Sequence, residues 1–173
     1  MNASSNKIAP YTISHVFDAP RSLVYEIHCK PDHLSKWMGG EGFEVIHNAL
    51  DHRVGGAYHY GMRGPGGMEM WGKQSFLELV PERKIVLLQS FSDKDGGITR
   101  HPMSPTWPEQ MHATTTFEDA GEGKTKMTIS MVPHNSDDEG VAAFDGARAG
   151  MEQGFGGMFK KMEIGRASCR ERV

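Results

Sequence analysis

Nine histidines are the residues of this chain with the widest choice of chemistry, because an imidazole can act as an acid, a base or a metal ligand. No His-x-x-x-His or His-Glu-x-x-His spacing occurs in the sequence, so no metal site is expected. His112 stands in a threonine-rich run of period two and shares one strand face with Thr114 and Thr116. It is therefore the candidate acid or base if the protein is an enzyme.

Carboxylates, hydroxyls and thiols form no recognisable catalytic pattern. The strand glutamates have no assured pairing, so a glycosidase-like pair of carboxylates is not indicated, and no serine lies in a Gly-x-Ser-x-Gly elbow. Cys29 and Cys169 are too few for a disulfide framework or a cysteine metal site. The sequence therefore predicts no cofactor, and it favours a binding protein over an enzyme.

Aromatic and methionine side chains instead form a set that suits an apolar pocket, and core filling is the alternative for each of them. Small-molecule sites are mostly apolar with a few placed polar groups, and methionine adapts to different shapes. Buried tyrosine hydroxyls need partners and so suit the polar end of a ligand. The candidate ligand-binding residues are Trp37, Met38, Tyr58, Tyr60, Met62, Trp107, His112, Thr114, Met151, Phe155 and Phe159.

The first forty residues indicate the elements that position this set. Tyr11 to Phe17 alternates as a strand does, and Pro20 suits the first turn of a short helix. Pro31 ends that helix, because the residue before proline avoids the helical region. A second short helix is predicted from Asp32 to Trp37, where Gly39 and Gly40 follow.

Further strand-like runs joined by short turns predict an antiparallel meander. The run from Met68 to Val80 is long enough to need a bend, for which Gly72 is the predicted position. The loop 93–110 is too apolar for a free linker, and we expect it to cover the pocket mouth with Trp107 closing it. The alternative is a loop packed outside the sheet. The predicted strands are 43–50, 57–63, 68–80, 84–92, 111–118 and 124–132.

The chain from Asp137 onward changes to a helical period, with acidic residues at the helix start where the helix dipole favours them. Methionine and phenylalanine recur at helical spacing between Met151 and Met162. Five glycines in this stretch each cost roughly 1 kcal/mol against alanine, and they predict close approach of a neighbouring element. These glycines are Gly146, Gly150, Gly154, Gly156 and Gly157.

The order strand, two short helices, strands and long helix predicts an α+β helix-grip fold, a curved antiparallel sheet of about six to seven strands around a long C-terminal helix. Six segments resemble the bacterial activator of Hsp90 ATPase homologue 1-like (AHSA1) family of the START/Bet v 1-like superfamily. They span roughly residues 11–162, and near Phe155 the family usually has tryptophan. The segments are 17–20, 31–37, 53–60, 62–67, 78–83 and 150–155. The resemblance implies binding of hydrophobic ligands.

Composition and charge limit the remaining possibilities. The net charge of −3 without a basic block argues against a nucleic-acid partner. No apolar run in the sequence reaches 18 residues, so a membrane span is not predicted. The polar first seven residues favour the cytoplasm. Residues 164–173 resemble one reading frame of a DNA-sequencing adapter, so we expect one domain over 1–163 followed by a non-native tail.

Three functions stay open at the level of sequence. The first is a carrier, sensor or sequestering protein for a small hydrophobic or lipid-like molecule, with a homodimer possible. The second is a cyclase, dehydratase or hydrolase that uses the same cavity, with His112 or a pocket tyrosine as acid or base. The third is a chaperone-associated interaction module, which rests on analogy with the family name alone.

Overall fold

The computed structural model describes residues 8–170, with side chains as far as Glu163. Eight strands form the sheet: β1 (Tyr11–Phe17), β2 (Glu44–Leu50), β3 (Ala57–Arg63), β4 (Glu69–Val80), β5 (Lys84–Ser92), β6 (Ile98–Thr99), β7 (Gln110–Asp119) and β8 (Thr125–His134). Four helices accompany it: α1 (Arg21–Glu26), α2 (Pro31–Trp37), α3 (Asp138–Gly146) and α4 (Arg148–Arg170). This order confirms the predicted helix-grip fold.

The strands form one open antiparallel sheet in the order β1-β8-β7-β5-β4-β3-β2, with the short β6 paired to β5. Alternation along each strand sends one set of side chains toward the helices and the other set away from them. We call the first side the inner face; it carries Tyr58, Phe76, Leu87 and Met131 among others. The apolar residues of α4 pack against this face, so the core lies between sheet and helix.

The two short helices follow β1 as predicted and close one end of this core. The indole Nε1 of Trp37 donates a hydrogen bond to the backbone carbonyl of Ile27 over 3.0 Å, which ties α2 to the end of α1. Contacts between α2 and α4 complete the enclosure. The hydrophobic face of the short helices is thereby buried against the sheet and the last helix.

The C-terminal helical region differs from the single helix that the periodicity predicts. It divides at Ala147 into α3 and α4. Asp137 caps α3 by accepting a hydrogen bond from the amide of Gly140 over 2.8 Å. Arg148, at the start of α4, donates to the carbonyl of Pro10 over 3.2 Å. The break therefore lets the last helix begin against the segment that precedes β1.

Gly72 does not bend β4, and that prediction was wrong. It pairs regularly with Tyr60 on β3 and Phe91 on β5, whereas the irregular register lies between Phe76 and Glu78. A Cβ added at Gly72 would lie 2.4 Å from the hydroxyl oxygen of Tyr60. Glycine is present here because an aromatic ring of the neighbouring strand lies over its backbone.

The next residue pair repeats this arrangement on the other face. Gly61 of β3 pairs with Trp71 of β4, and a Cβ at Gly61 would lie 2.8 Å from the indole ring. His47 and His59 pack against the same indole, at centroid distances of 5.4 and 5.6 Å. Each of two successive pairs thus places an aromatic ring over a glycine, one on each face of the sheet.

The helical glycines contradict the expectation of close approach. A Cβ added at Gly146, Gly150, Gly154, Gly156 or Gly157 would meet no atom within 4 Å, apart from the helix's own neighbouring backbone. Their positions alternate with the apolar residues of α4 that face the core. No described element packs on them, so their helix-weakening effect is not offset by a contact there.

The ends of the chain extend beyond what the structure describes. The polar segment 1–7 and residues 171–173 lie outside the described residues, as do the side chains of the expected tail from residue 164 onward. The backbone of α4 continues without interruption to Arg170. In the described part, no helix combines the length and the apolar character that crossing a membrane requires.

Candidate functional site

A cavity of about 210 Å³, which we call the main chamber, lies between the inner face of the sheet, α2 and α4. This volume exceeds the roughly 150 Å³ that suffices for a molecule of benzene's size. Its described lining residues are mostly apolar, and none of them is Lys, Arg, Asp or Glu. They are His28, Leu34, Trp37, Met38, Gly39, Tyr58, Tyr60, Met62, Gln74, Phe76, Ile85, Leu87, Gln89, Ala113, Thr115, Ile129, Met131, Phe155, Met158 and Met162.

Uncharged polar groups interrupt the apolar lining on the β3–β4–β5 side. Tyr58 is fully buried, and its hydroxyl has no hydrogen-bond partner among the described residues. Burial raises the pKa of Tyr58 well above its usual value, and it raises that of Tyr60 to about 12. Both phenols are therefore protonated at neutral pH and able to donate a hydrogen bond.

His28 is a chamber residue that the sequence analysis did not consider. Its Nδ1 lies 2.9 Å from the carbonyl of Val24, and its ring packs against Trp37 and Phe117 at 5.0 and 5.3 Å. Burial lowers the pKa of His28 to about 4, and this effect outweighs the opposing hydrogen bond to Val24. The imidazole is therefore neutral at physiological pH, like the rest of the lining.

A second cavity of about 180 Å³, the side chamber, adjoins the main one toward the end of the sheet where loop 93–110 returns. Loop 93–110 supplies Trp107, whose ring lies 6.3 Å from Phe144 of α3. Four residues line both chambers and separate them: Tyr60, Gln89, Met131 and Phe155. The other described lining residues of the side chamber are Ser90, Phe91, Trp107, Pro108, Met111 and Met151.

The structure brings most of the predicted site residues to these cavities. Main-chamber lining comes from Trp37, Met38, Tyr58, Tyr60, Met62 and Phe155, while Trp107 and Met151 line the side chamber. Trp107 thus lies at the second cavity and does not close the first. Phe159 is buried between His15 and Phe17, at 5.0 and 6.1 Å, and lines neither chamber.

His112 and Thr114 do not reach either cavity, which corrects their predicted placement. Strand β7 turns Met111, Ala113, Thr115 and Phe117 to the inner face, so His112 and Thr114 point to the opposite side. The apolar alternation of β7 already contained this signal, because the buried face of a strand is the one that carries its apolar residues. His112 accordingly lies outside the chambers, 6.4 Å from the ring of His134.

Spacing could also have identified two of the missed residues. His28 is four residues after Val24 and therefore shares its side of the helical turn. Gln89 lies two residues after Leu87 on the inner side of β5, where strand alternation places it opposite Gln74. A polar residue in phase with buried neighbours is a site candidate, because it needs a partner inside.

Fold and cavity together define a helix-grip domain with a partly enclosed, mostly apolar chamber between its sheet and its last helix. The sequence matches the family described as activator of Hsp90 ATPase homolog 1-like protein over residues 18–164, and the chain belongs to this family. Among curated proteins, none matches the sequence.

Solved structures of bacterial proteins share the fold. A protein from Arthrobacter aurescens is 24% identical with a TM-score of 0.75, over 94% of this chain and 88% of that one. One from Nitrosomonas europaea is 19% identical with a TM-score of 0.74, over 96% and 99%. The AHSA1 protein from Silicibacter pomeroyi is 16% identical with a TM-score of 0.67, over 92% and 98%. At these identities the likeness concerns the fold alone.

Proposed function

We propose that this protein binds a small, uncharged, mostly apolar molecule in the main chamber and serves to carry, sense or sequester it. The observation that carries this proposal is a partly enclosed chamber lined by apolar and neutral polar side chains. Burying an ionised group in such surroundings without a partner is expensive. The ligand class is therefore neutral and amphipathic, with a lipid-like metabolite as one example.

The polar end of the ligand meets the β3–β4–β5 side of the chamber. An unpaired buried hydroxyl such as that of Tyr58 costs roughly 1–3 kcal/mol. A carbonyl, ether or hydroxyl oxygen of a ligand recovers part of this cost when it accepts a hydrogen bond there. The proposed ligand thus has one neutral acceptor and an otherwise apolar body.

A pair of substitutions on β7 tests the chamber as the binding site. Ala113→Leu inserts a larger side chain into the main chamber, whereas Thr114→Leu places the same side chain on the opposite face. The readout is titration with a neutral naphthylamine dye whose fluorescence rises in apolar surroundings. We expect Ala113→Leu to weaken dye binding by about tenfold or more, and Thr114→Leu to leave it unchanged.

Competition by decanol and by decanoate tests the neutral character of the ligand. Decanol should displace the dye at a concentration at least about tenfold lower than decanoate does, because decanoate must bury a carboxylate without a cationic partner. Equal displacement by both, or equal dye binding by both β7 variants with thermal melts like the wild type, contradicts the proposal.

Compartment and assembly are part of the same proposal. We place the protein in the cytoplasm, which cell fractionation tests, and name a homodimer as its candidate assembly, which light scattering after gel filtration tests. The binding domain is proposed to comprise residues 1–163, and the family match, which ends at residue 164, supports this boundary.

A further inference from the structure

Tyr60 stands at the boundary between the two chambers. Its ring lines both of them, together with Gln89, Met131 and Phe155. Each chamber alone is smaller than the roughly 300 Å³ at which small-molecule sites usually begin. The residue that separates the chambers therefore decides how much of the enclosed space one ligand can use.

Three contacts fix the Tyr60 ring in this position. It stacks on Tyr58 with a centroid distance of 5.1 Å and an interplanar angle of 27°. Gly72 leaves the space beneath it, since a Cβ there would lie 2.4 Å from its hydroxyl oxygen. The side chain of Gln89 lies within hydrogen-bonding reach of that hydroxyl.

The other two residues of the boundary are Met131 and Phe155, and they lack the glycine seat and the polar partner that Tyr60 has. Met131 has a flexible thioether side chain that adapts to its neighbours. Phe155 belongs to α4 and stacks on Tyr11 with a centroid distance of 5.9 Å, and a Cβ at the adjacent Gly154 or Gly156 would meet no described atom. Tyr60 is consequently the rigid member of the boundary.

We propose that Tyr60, seated on Gly72 and held toward Gln89, limits the length of the ligand to the main chamber. The proposal rests on the proposed function and adds a specificity-determining residue to it. The ligand is a compact neutral amphiphile, and longer homologues are excluded because the side chamber is closed to them.

The experiment measures displacement of the naphthylamine dye by straight-chain primary alcohols from hexanol to hexadecanol. In the wild-type protein the affinity should rise roughly fourfold per methylene while the main chamber fills, and then stop rising. In Tyr60→Ala the rise should continue to longer alcohols, because the chain enters the side chamber.

Two variants serve as controls for this shift. Tyr60→Phe keeps the ring and removes only the hydroxyl, so the chain length at which the affinity stops rising should remain as in the wild type. His59→Ala changes the neighbouring residue on the opposite face and should also leave that length unchanged. If Tyr60→Ala does not give a cooperative thermal melt, Tyr60→Val replaces it, since loss of the ring also widens the boundary.

The outcomes separate the two proposals. If the affinity stops rising at the same alcohol length in the wild type and in the folded Tyr60 variant without the ring, the role of Tyr60 is overturned. The proposed function then remains intact. Failure of the wild type to bind the dye or any of the alcohols overturns the proposed function and this inference with it. If this length shifts to longer alcohols only in the Tyr60 variant without the ring, the proposed function and the role of Tyr60 are both supported.

Discussion

The glycines of the sheet and those of the last helix differ in what surrounds them. A Cβ at Gly72 or Gly61 would collide with the aromatic ring of a paired residue, whereas one at Gly154 or Gly157 would meet nothing nearby. Glycine therefore marks close packing in the sheet, which we call the sheet wall of the main chamber. It marks open space beside α4, which we call the helix wall. The main chamber lies between these two walls.

This difference teaches that the two walls have different roles in binding. The sheet wall holds Tyr58 and Tyr60 in fixed positions and so sets the shape of the space. The helix wall contributes Phe155, Met158 and Met162, and the glycines of α4 lower the intrinsic stability of this helix. We expect the helix to adjust to a ligand and the sheet to select it.

Acid should destabilise the protein most strongly through His28, which lies in the turn after α1. The pKa of this half-buried imidazole is about 4 in the folded protein against 6.5 when it is exposed. The unfolded chain therefore takes up the proton first as pH falls, and stability present above pH 6.5 is lost toward pH 4. The difference corresponds to a loss of up to about 3 kcal/mol.

Urea unfolding at a series of pH values measures this loss, with His28→Phe as the comparison. The variant keeps an aromatic ring against Trp37 and Phe117 but cannot titrate, so its free energy of unfolding should fall less over the same range. Burial also lowers the pKa of His33, His52 and His101, which leaves a residual slope. Identical slopes in the two proteins would show that His28 is not the source.

Gly72→Ala should destabilise the protein by about 1–3 kcal/mol, because the added methyl group forces the Tyr60 ring out of its place. The matched variant Gly61→Ala meets the partly exposed indole of Trp71, which can move toward solvent, so a smaller loss is expected. Thermal and urea unfolding measure both. Equal losses in the free energy of unfolding of the two variants would mean that burial of the Tyr60 ring does not increase the cost of the Gly72 substitution.

Gly154→Ala should stabilise the protein by about 0.5–1 kcal/mol, the opposite sign to the strand variants. Alanine favours the helical conformation over glycine, and no described atom obstructs the methyl group. Urea unfolding detects the change. Destabilisation instead would indicate that the helix wall is as closely fitted as the sheet wall.

Removal of residues 164–173 should have the smallest effect on binding. The last described residue of α4 that lines the main chamber is Met162, which this truncation retains. Dye affinity within twofold of the full chain is the expected result of the same fluorescence titration. A marked loss would place part of the binding wall in the removed segment.

The fold was predictable because its signals are local and repeated. Alternation in β1 and strand-like runs between turns in β3 and β5 predicted the observed bounds of these strands, and proline positions predicted the two short helices. The site was less predictable, because the prediction for β7 followed the polar run of His112 and Thr114, although the apolar residues of this strand indicate the opposite face. Gly72 shows a further limit, since the Tyr60 ring that requires it becomes its neighbour only after β3 and β4 pair.

The pairing of β1 with β8 has a consequence for the time course of folding. Thr12 and Ser130 lie opposite each other although they are 118 positions apart in the chain. Contacts between such distant residues form slowly, because a long loop must close before they contribute any energy. Until β8 pairs with it, β1 leaves the apolar side chains of Tyr11 and Phe17 exposed, both during synthesis and during refolding. Exposed apolar strands associate with one another, so the refolding yield should fall as protein concentration rises.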